Sequence, residues 1–176
     1  MSRTPGVESS EKQGDTLMTD APIEEFFDLI EDVTVCMLTS RDGGELRSRP
    51  MGFDVDKSTH EFHLLTRKSS HKADELAAHP EVNLSFARPG RKEYVSVSGQ
   101  AYLTTDKRLI DAVWFDDAES WFPGGKEDPD VAVIRVVPSS GEYWEGFNAL
   151  QRRWNLIKAK QAGEEPHLGE NRKVAL

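Results

Sequence analysis

Two stretches hold residue types able to grip a small ligand: Arg47-Ser48-Arg49-Pro50-Met51, and Thr66-Arg67-Lys68-Ser69-Ser70-His71-Lys72. In an extended strand Arg47, Arg49, Met51 and Phe53 share one face. Guanidinium groups beside an apolar patch suit a ligand with an anionic end and a flat apolar end. An outward strand face with snorkelling arginines shows the same pattern. Pro50 withholds a ladder donor and marks a strand edge or a bulge. The second stretch passes from a strand end into a helix start. Free N–H groups at a helix N-terminus bind phosphate, and a serine hydroxyl and the Lys72 ammonium add to that. Ordinary capping by Ser69 or Ser70 uses the same residues, and a cap is expected with or without phosphate. Asp74 and Glu75 follow closely and oppose an anion unless Lys72 offsets them.

Two further groups offer surfaces. Tyr94, Ser96, Ser98, Gln100 and Tyr102 alternate along a strand and present a polar face to water, to a ligand or to a partner subunit. Trp114-Phe115, Trp121-Phe122-Pro123-Gly124 and Tyr143-Trp144 supply large rings for core packing, an interface or stacking. Familiar reaction signatures are missing. No G-x-G-x-x-G follows a strand, Gly125-Lys126 leads to Glu127 in place of a hydroxyl residue, and G-x-S-x-G does not occur. His60-Glu61-Phe62-His63 lacks the H-E-x-x-H spacing and reads as two surface histidines, so no metal site is expected. No residue stands out as a general acid or base. His63 and His71 are candidates without geometry, and no catalytic residue is assigned.

The totals narrow the classes. The chain has 176 residues, 37% hydrophobic and 30% charged, which fits one domain with unpacked tails. Its net charge of -9 argues against a nucleic-acid partner, because duplex binders present a basic surface. Residues 41–72 depart from this, with seven Lys/Arg against five Asp/Glu. Such a basic island suits a small anionic ligand or an ordinary solvated strand surface. The one cysteine, Cys36, lies in the apolar run Val33-Thr34-Val35-Cys36-Met37-Leu38. It reads as a buried inert thiol, and the lack of an internal disulfide fits a reducing cytosol. No apolar run approaches membrane-spanning length and the N-terminal residues lack a signal-peptide core, so a cytoplasmic protein without membrane partners is expected.

Residues 1–19 are polar and read as a disordered arm. Asp20 and Pro22 open a helix with Ile23, Phe26, Phe27 and Ile30 on one side, ending near Asp32. Residues 33–39, 45–54 and 61–66 read as a meander of strands, the first two joined by the turn Arg41-Asp42-Gly43-Gly44. A helix from Ser69-Ser70-His71 ends at Pro80, and residues 82–87 and 94–104 are strands four and five. Helical stretches over 106–113 and 118–122 precede a sixth strand over 131–137, and residues 142–144 form a short further one. A basic, weakly patterned extension, 151–176, follows a domain spanning 20–150. With no β-α-β alternation, this is a mainly β (α+β) chain, a six-stranded antiparallel barrel with peripheral helices.

Several segments, taken in order, resemble the general stress protein 26 family of pyridoxamine-5′-phosphate-oxidase-like, FMN-binding split barrels. They are Arg49-Pro50-Met51, Ser70-His71-Lys72, His79-Pro80-Glu81-Val82-Asn83-Leu84-Ser85 and Tyr94-Val95-Ser96-Val97-Ser98-Gly99. The series continues in Trp114, Trp121-Phe122-Pro123-Gly124, Asp128-Pro129, Glu142-Tyr143-Trp144 and Gly169-Glu170-Asn171. The resemblance covers residues 20–176. It implies a homodimer of six-stranded split barrels with flavin sites in the dimer groove, each built from both chains. Carried over by motif, Arg49 and Lys72 hold the phosphate with Ser70 and His71 beside it. Pro50, Met51, Leu65 and Thr66 line the isoalloxazine ring, and Tyr94 or Ser96 contacts it from a neighbouring strand. Trp121 and Trp144 close the groove, at least one of them from the partner chain. FMN is the cofactor implied, ahead of FAD, the deazaflavin F420 or haem.

His71 stands where the oxidase relatives have Arg, which implies weaker or pH-dependent phosphate binding. The C-terminal Arg/His substrate pattern of the true pyridoxamine phosphate oxidases is missing, which argues against that vitamin B6 reaction. The resemblance therefore implies an FMN-dependent oxidoreductase acting on a small redox substrate. A non-enzymatic protein that buffers or senses flavin during stress is the alternative, and a split barrel for F420 or haem is the third.

Overall fold

The computed structural model describes residues 20–146 and 169–176. The arm expected over 1–19 and most of the extension expected over 151–176 lie outside the described residues. Helix α1 (Asp20–Asp28) ends short of the expected Asp32, and turns carry the chain into the sheet. Seven strands follow: β1 (Val35–Asp42), β2 (Glu45–Gly52), β3 (Asp54–Asp56), β4 (Glu61–Arg67), β5 (Glu81–Arg88), β6 (Glu93–Thr104) and β7 (Val131–Gly146). Helix α2 (His71–Ala78) separates β4 from β5, and α3 (Lys107–Ala112) and α4 (Ala118–Trp121) separate β6 from β7. A last strand, β8 (Gly169–Ala175), belongs to the same sheet.

The six expected strands are all present. The two additions are the three-residue β3 and β8, which brings the end of the basic extension into the barrel. The expected sixth strand and the short run after it are one continuous β7. The antiparallel order is β2-β1-β5-β6-β7-β4-β3, with β8 also on β7. β6 runs along one edge of β7, while β4 takes Val131–Val136 and β8 takes Ser140–Gly146.

Alternation explains the core. Leu38, Phe62, Leu64, Leu84, Val97, Ile134 and Val136 point into the barrel and are fully buried. Each contributes about 1.5–3 kcal/mol relative to an exposed position. Helix α1 plugs one end: Phe26 meets Tyr143 edge to face at 6.0 Å, and a Cβ on Gly141 would fall 2.5 Å from the Phe26 ring. Helices α3 and α4 build a second core on the outer side of β4 and the start of β7, from Ile110, Val113, Ala118, Phe122, Val131 and Val133. The β6–β7 register shifts between Ser98 and Gly99, where a Cβ on Gly99 would lie 2.4 Å from the Val137 carbonyl oxygen. A side chain there is incompatible with so close an approach of the two strands.

One expected surface residue is not at the surface. His63 is buried beside Glu61, whose carboxylate also takes the Arg135 guanidinium at 2.6 Å. It pairs with Arg135 on β7 in the sheet interior, a long-range neighbour that local spacing does not reveal. Cys36 is buried as expected, and burial pushes its thiol pKa up to about 12. Among the described residues no helix is long and apolar enough to cross a membrane.

Candidate functional site

Register decides where the arginines of β2 point. Arg49 pairs with Leu38, Met51 with Cys36 and Arg47 with Ser40, all on the face of β1 that looks into the barrel. The alternative of an ordinary outward face therefore fails for Arg49, which is mostly buried. Pro50, paired with Met37, faces out, and Met51 packs against the principal core.

At the barrel end the Arg49 guanidinium meets the second turn of α2. Nη1 and Nη2 donate to both Glu75 carboxylate oxygens at 2.9–3.0 Å, and Nη1 also donates to Ser40 Oγ at 3.2 Å. Ser40 in turn donates to Glu75 at 2.6 Å. The Glu75 side chain is only 2% exposed. Burial alone would raise its pKa, but the hydrogen bonds from Arg49 and Ser40, with the charges of Arg49 and His71, outweigh that and hold it below the ordinary carboxylate range. Arg49, and not Lys72 as expected, is the cation that pairs directly with the Glu75 carboxylate.

Lys72 lies one turn earlier on α2 and is half-buried. Burial, then the positive charge of Arg49, lower its pKa, and Glu75 offsets only part of this. Two cations thus share this corner with one buried carboxylate. His71 is exposed, with Nε2 3.2 Å from Asp42 and 3.7 Å from Glu75. Asp42, His71 and Glu75 bring potential ligand atoms within 4.8 Å of one another. The Glu75 oxygens are already engaged by Arg49, whose charge opposes a metal cation there.

The expected capping bond is not made. Ser70 occupies the N-cap position of α2 without a side-chain cap hydrogen bond. Its hydroxyl donates to the Arg67 carbonyl at 2.7 Å and lies 3.4 Å from the Thr66 hydroxyl. Ser69 is drawn away by Asp130, to which its backbone N–H and hydroxyl both donate. Thr66 is buried, and Leu65 packs against the second core.

The remaining candidates lie elsewhere. Reading the registers across the sheet, Pro50, Met37, Ser85, Ser96 and Glu142 form one outward row, and Tyr94 and Trp144 stand opposite each other in the next. Ser96 accepts a hydrogen bond from Asn83 at 2.7 Å. Trp121 is 70% exposed, and its carbonyl accepts from Arg67, which pairs with Val131 at the start of β7. Trp144 is thirteen residues further along β7, roughly 40 Å of strand path.

The structure therefore assembles Arg49, Ser70, His71 and Lys72 with Thr66 nearby, and places Pro50, Tyr94, Ser96 and Trp144 on the outer sheet face. Sequence reasoning missed Ser40, Asp42 and Asp130 and the pairing of Glu75 with Arg49. The helical spacing of Glu75 from His71 was a signal. Its pairing with Arg49, a residue 26 positions away, was not.

An antiparallel sheet that curls around one core and stays open between β2 and β3, with a cationic corner where β2 meets α2, defines a split barrel. Residues 21–167 match the family described as pyridoxamine 5′-phosphate oxidase like, and the chain belongs to that family. It is 30% identical over 118 residues to general stress protein 26 of Bacillus subtilis, a match covering 65% of this chain and 82% of the relative. A solved structure from Jannaschia sp. CCS1, named as a general stress protein 26, shares 29% identity with a TM-score of 0.70, covering 90% of this chain and all of the other. The general stress FMN/FAD binding protein of Xanthomonas citri shares 25% identity with a TM-score of 0.65, over 74% of this chain and 93% of the other.

Proposed function

We propose that this chain binds a flavin, FMN, in a groove formed by two copies of itself. The observation that carries the reading is geometric: Arg49 on β2 is bonded to Glu75 on α2, the helix whose start carries Ser70, His71 and Lys72. A terminal phosphate there would meet the Lys72 ammonium and favour its charged form. The first N–H groups of α2 stand beside it as further donors, and the Ser70 hydroxyl joins them if it turns from the Arg67 carbonyl. A single anionic anchor suits the one phosphate of FMN, ahead of FAD, F420 or haem. The Xanthomonas citri relative, whose name records FMN/FAD binding, supports the same reading.

Trp121, exposed beside Arg67 near the start of β7, and Trp144, exposed thirteen residues further along that strand, are the rings that close the two-chain groove in this reading. Pro50, Leu65, Thr66, Tyr94 and Ser96 are the ring-facing candidates, with Met51 behind Pro50. When bound, the flavin supplies hydride or electron transfer, and the protein holds and orients it for a small redox substrate. The non-enzymatic alternative uses the same residues to store or sense flavin.

The visible spectrum of purified protein, followed by titration with FMN and riboflavin, tests the reading. Yellow protein that prefers FMN supports it, and colourless protein that takes up neither ligand rejects it. Bleaching of the bound flavin by anaerobic NAD(P)H, with turnover, selects the oxidoreductase over the storage protein.

A further inference from the structure

Glu75 has an unusual position for an acid next to an anion site. Its side chain is 2% exposed, its two oxygens face the Arg49 guanidinium, and Ser40 donates to one of them. It stands on the same helix as Lys72, three residues on, so it ties β2 to the wall that carries Ser70, His71 and Lys72. Arg49 spends Nη1 and Nη2 on this contact, and among the described residues no group accepts from its Nε–H. The hydrogen bonds and the neighbouring charges keep the carboxyl ionised, so the clamp persists through the neutral range.

We infer that Glu75 is a positioning residue for the flavin phosphate: it clamps the Arg49 guanidinium end-on and thereby presents the Nε–H edge, beside Lys72, to the anion. The inference rests on the phosphate reading above. Its physical basis is preorganisation. A free arginine loses rotamer freedom when it meets a ligand, and here that loss is already met in the folded protein. The charge of Glu75 does not repel the phosphate strongly because Arg49 neutralises it at hydrogen-bond distance.

The test uses the full-length chain, with FMN and riboflavin as probes. Glu75→Gln keeps the shape and loses the ionic clamp. It is expected to weaken FMN about tenfold, the cost of ordering one long side chain on binding, and to leave riboflavin affinity unchanged. In an Arg49→Ala background the same substitution is expected to cause no further loss and to recover some FMN affinity, because Glu75 acts through Arg49 and its unpaired charge then faces the phosphate. If Glu75→Gln does not fold, Glu75→Asp serves, with an expected loss of about threefold confined to FMN. Unchanged or tighter FMN binding overturns the inference, as does an equal loss for riboflavin or an equal loss in the Arg49→Ala background. If the unmodified protein binds riboflavin as tightly as FMN, the phosphate reading itself fails, and that result is recognisable before any variant is made.

Discussion

Tyr94 and Trp144 stand opposite each other across the β6–β7 ladder, facing away from the barrel, with 42% and 37% of their surface exposed. Val35 and Met37 on β1 face the same way and are also exposed. Ser85 and Ser96 continue the Met37 row, and Thr39, Asn83 and Ser98 form the row beyond it, all neutral polar side chains on the outward positions of β1, β5 and β6. A face with few charges and two rings at one edge suits contact with a second copy better than contact with water.

The first prediction concerns that face. Light scattering should give a dimer. Met37→Arg, which changes an exposed side chain and leaves the core intact, should give a monomer with a melting temperature close to the parent's. FMN affinity should fall by more than about tenfold, or 1.4 kcal/mol. A monomeric variant that binds FMN as the parent does would remove the partner chain from the site.

Lys72 provides the second. Its pKa is lowered from 10.5 in the unliganded protein, so the ammonium is lost at a lower pH than for a free lysine. FMN affinity should therefore decline on the alkaline side before pH 10.5 is reached, and Lys72→Gln should flatten that decline. The same variant should weaken FMN at neutral pH by about 1.5–3 kcal/mol, the range for a hydrogen bond to a charged group. A pH profile shared by parent and variant would take Lys72 out of the site.

Acid stability gives the third. The Glu75 pKa is lower in the folded state than in the unfolded one, so the native protein binds fewer protons there. Its contribution is complete above the unfolded value of about 4.3 and disappears as the pH falls through the folded value. Denaturant midpoints of the parent and Glu75→Gln should differ near neutrality and converge as the pH drops below about 4. A gap that stays constant into strong acid would show that folding does not lower the pKa of this carboxyl.

The fourth concerns Cys36, buried in β1 with its thiol pKa near 12. Iodoacetamide at about pH 8 should leave the native protein unlabelled and modify it once denaturant is added. Rapid labelling of native protein would place the thiol at an accessible surface.

Much of the barrel was legible from alternation. Val95, Val97 and Ala101 mark the buried face of β6 without help from any neighbour. The segment of β8 resists such reading because, among its described side chains, Val174 is the buried apolar one, and pairing with the second half of β7 makes it a strand. Pro138-Ser139-Ser140-Gly141 hides the continuity of β7 in the same way, since these residues look like a turn until β6 is laid beside them. The site divides along similar lines. Ser70, His71 and Lys72 could be placed from their position at a helix start. The direction of Arg49 could not, because β2 carries charged residues on the face that points inward and only its register with Leu38 shows which face that is.

Gly99 lies where β6 changes register against β7. On one side of that point the strands carry Tyr94 and Trp144, and on the other Tyr102 and Arg135. Even a methyl group there would force the two strands apart. The damage would go beyond a local clash, because the angle between the two halves of the sheet fixes how far the aromatic pair lies from the Arg67 end. On the two-chain reading proposed above, a variant at this position keeps its strands and its cationic corner but presents them to a second copy out of alignment.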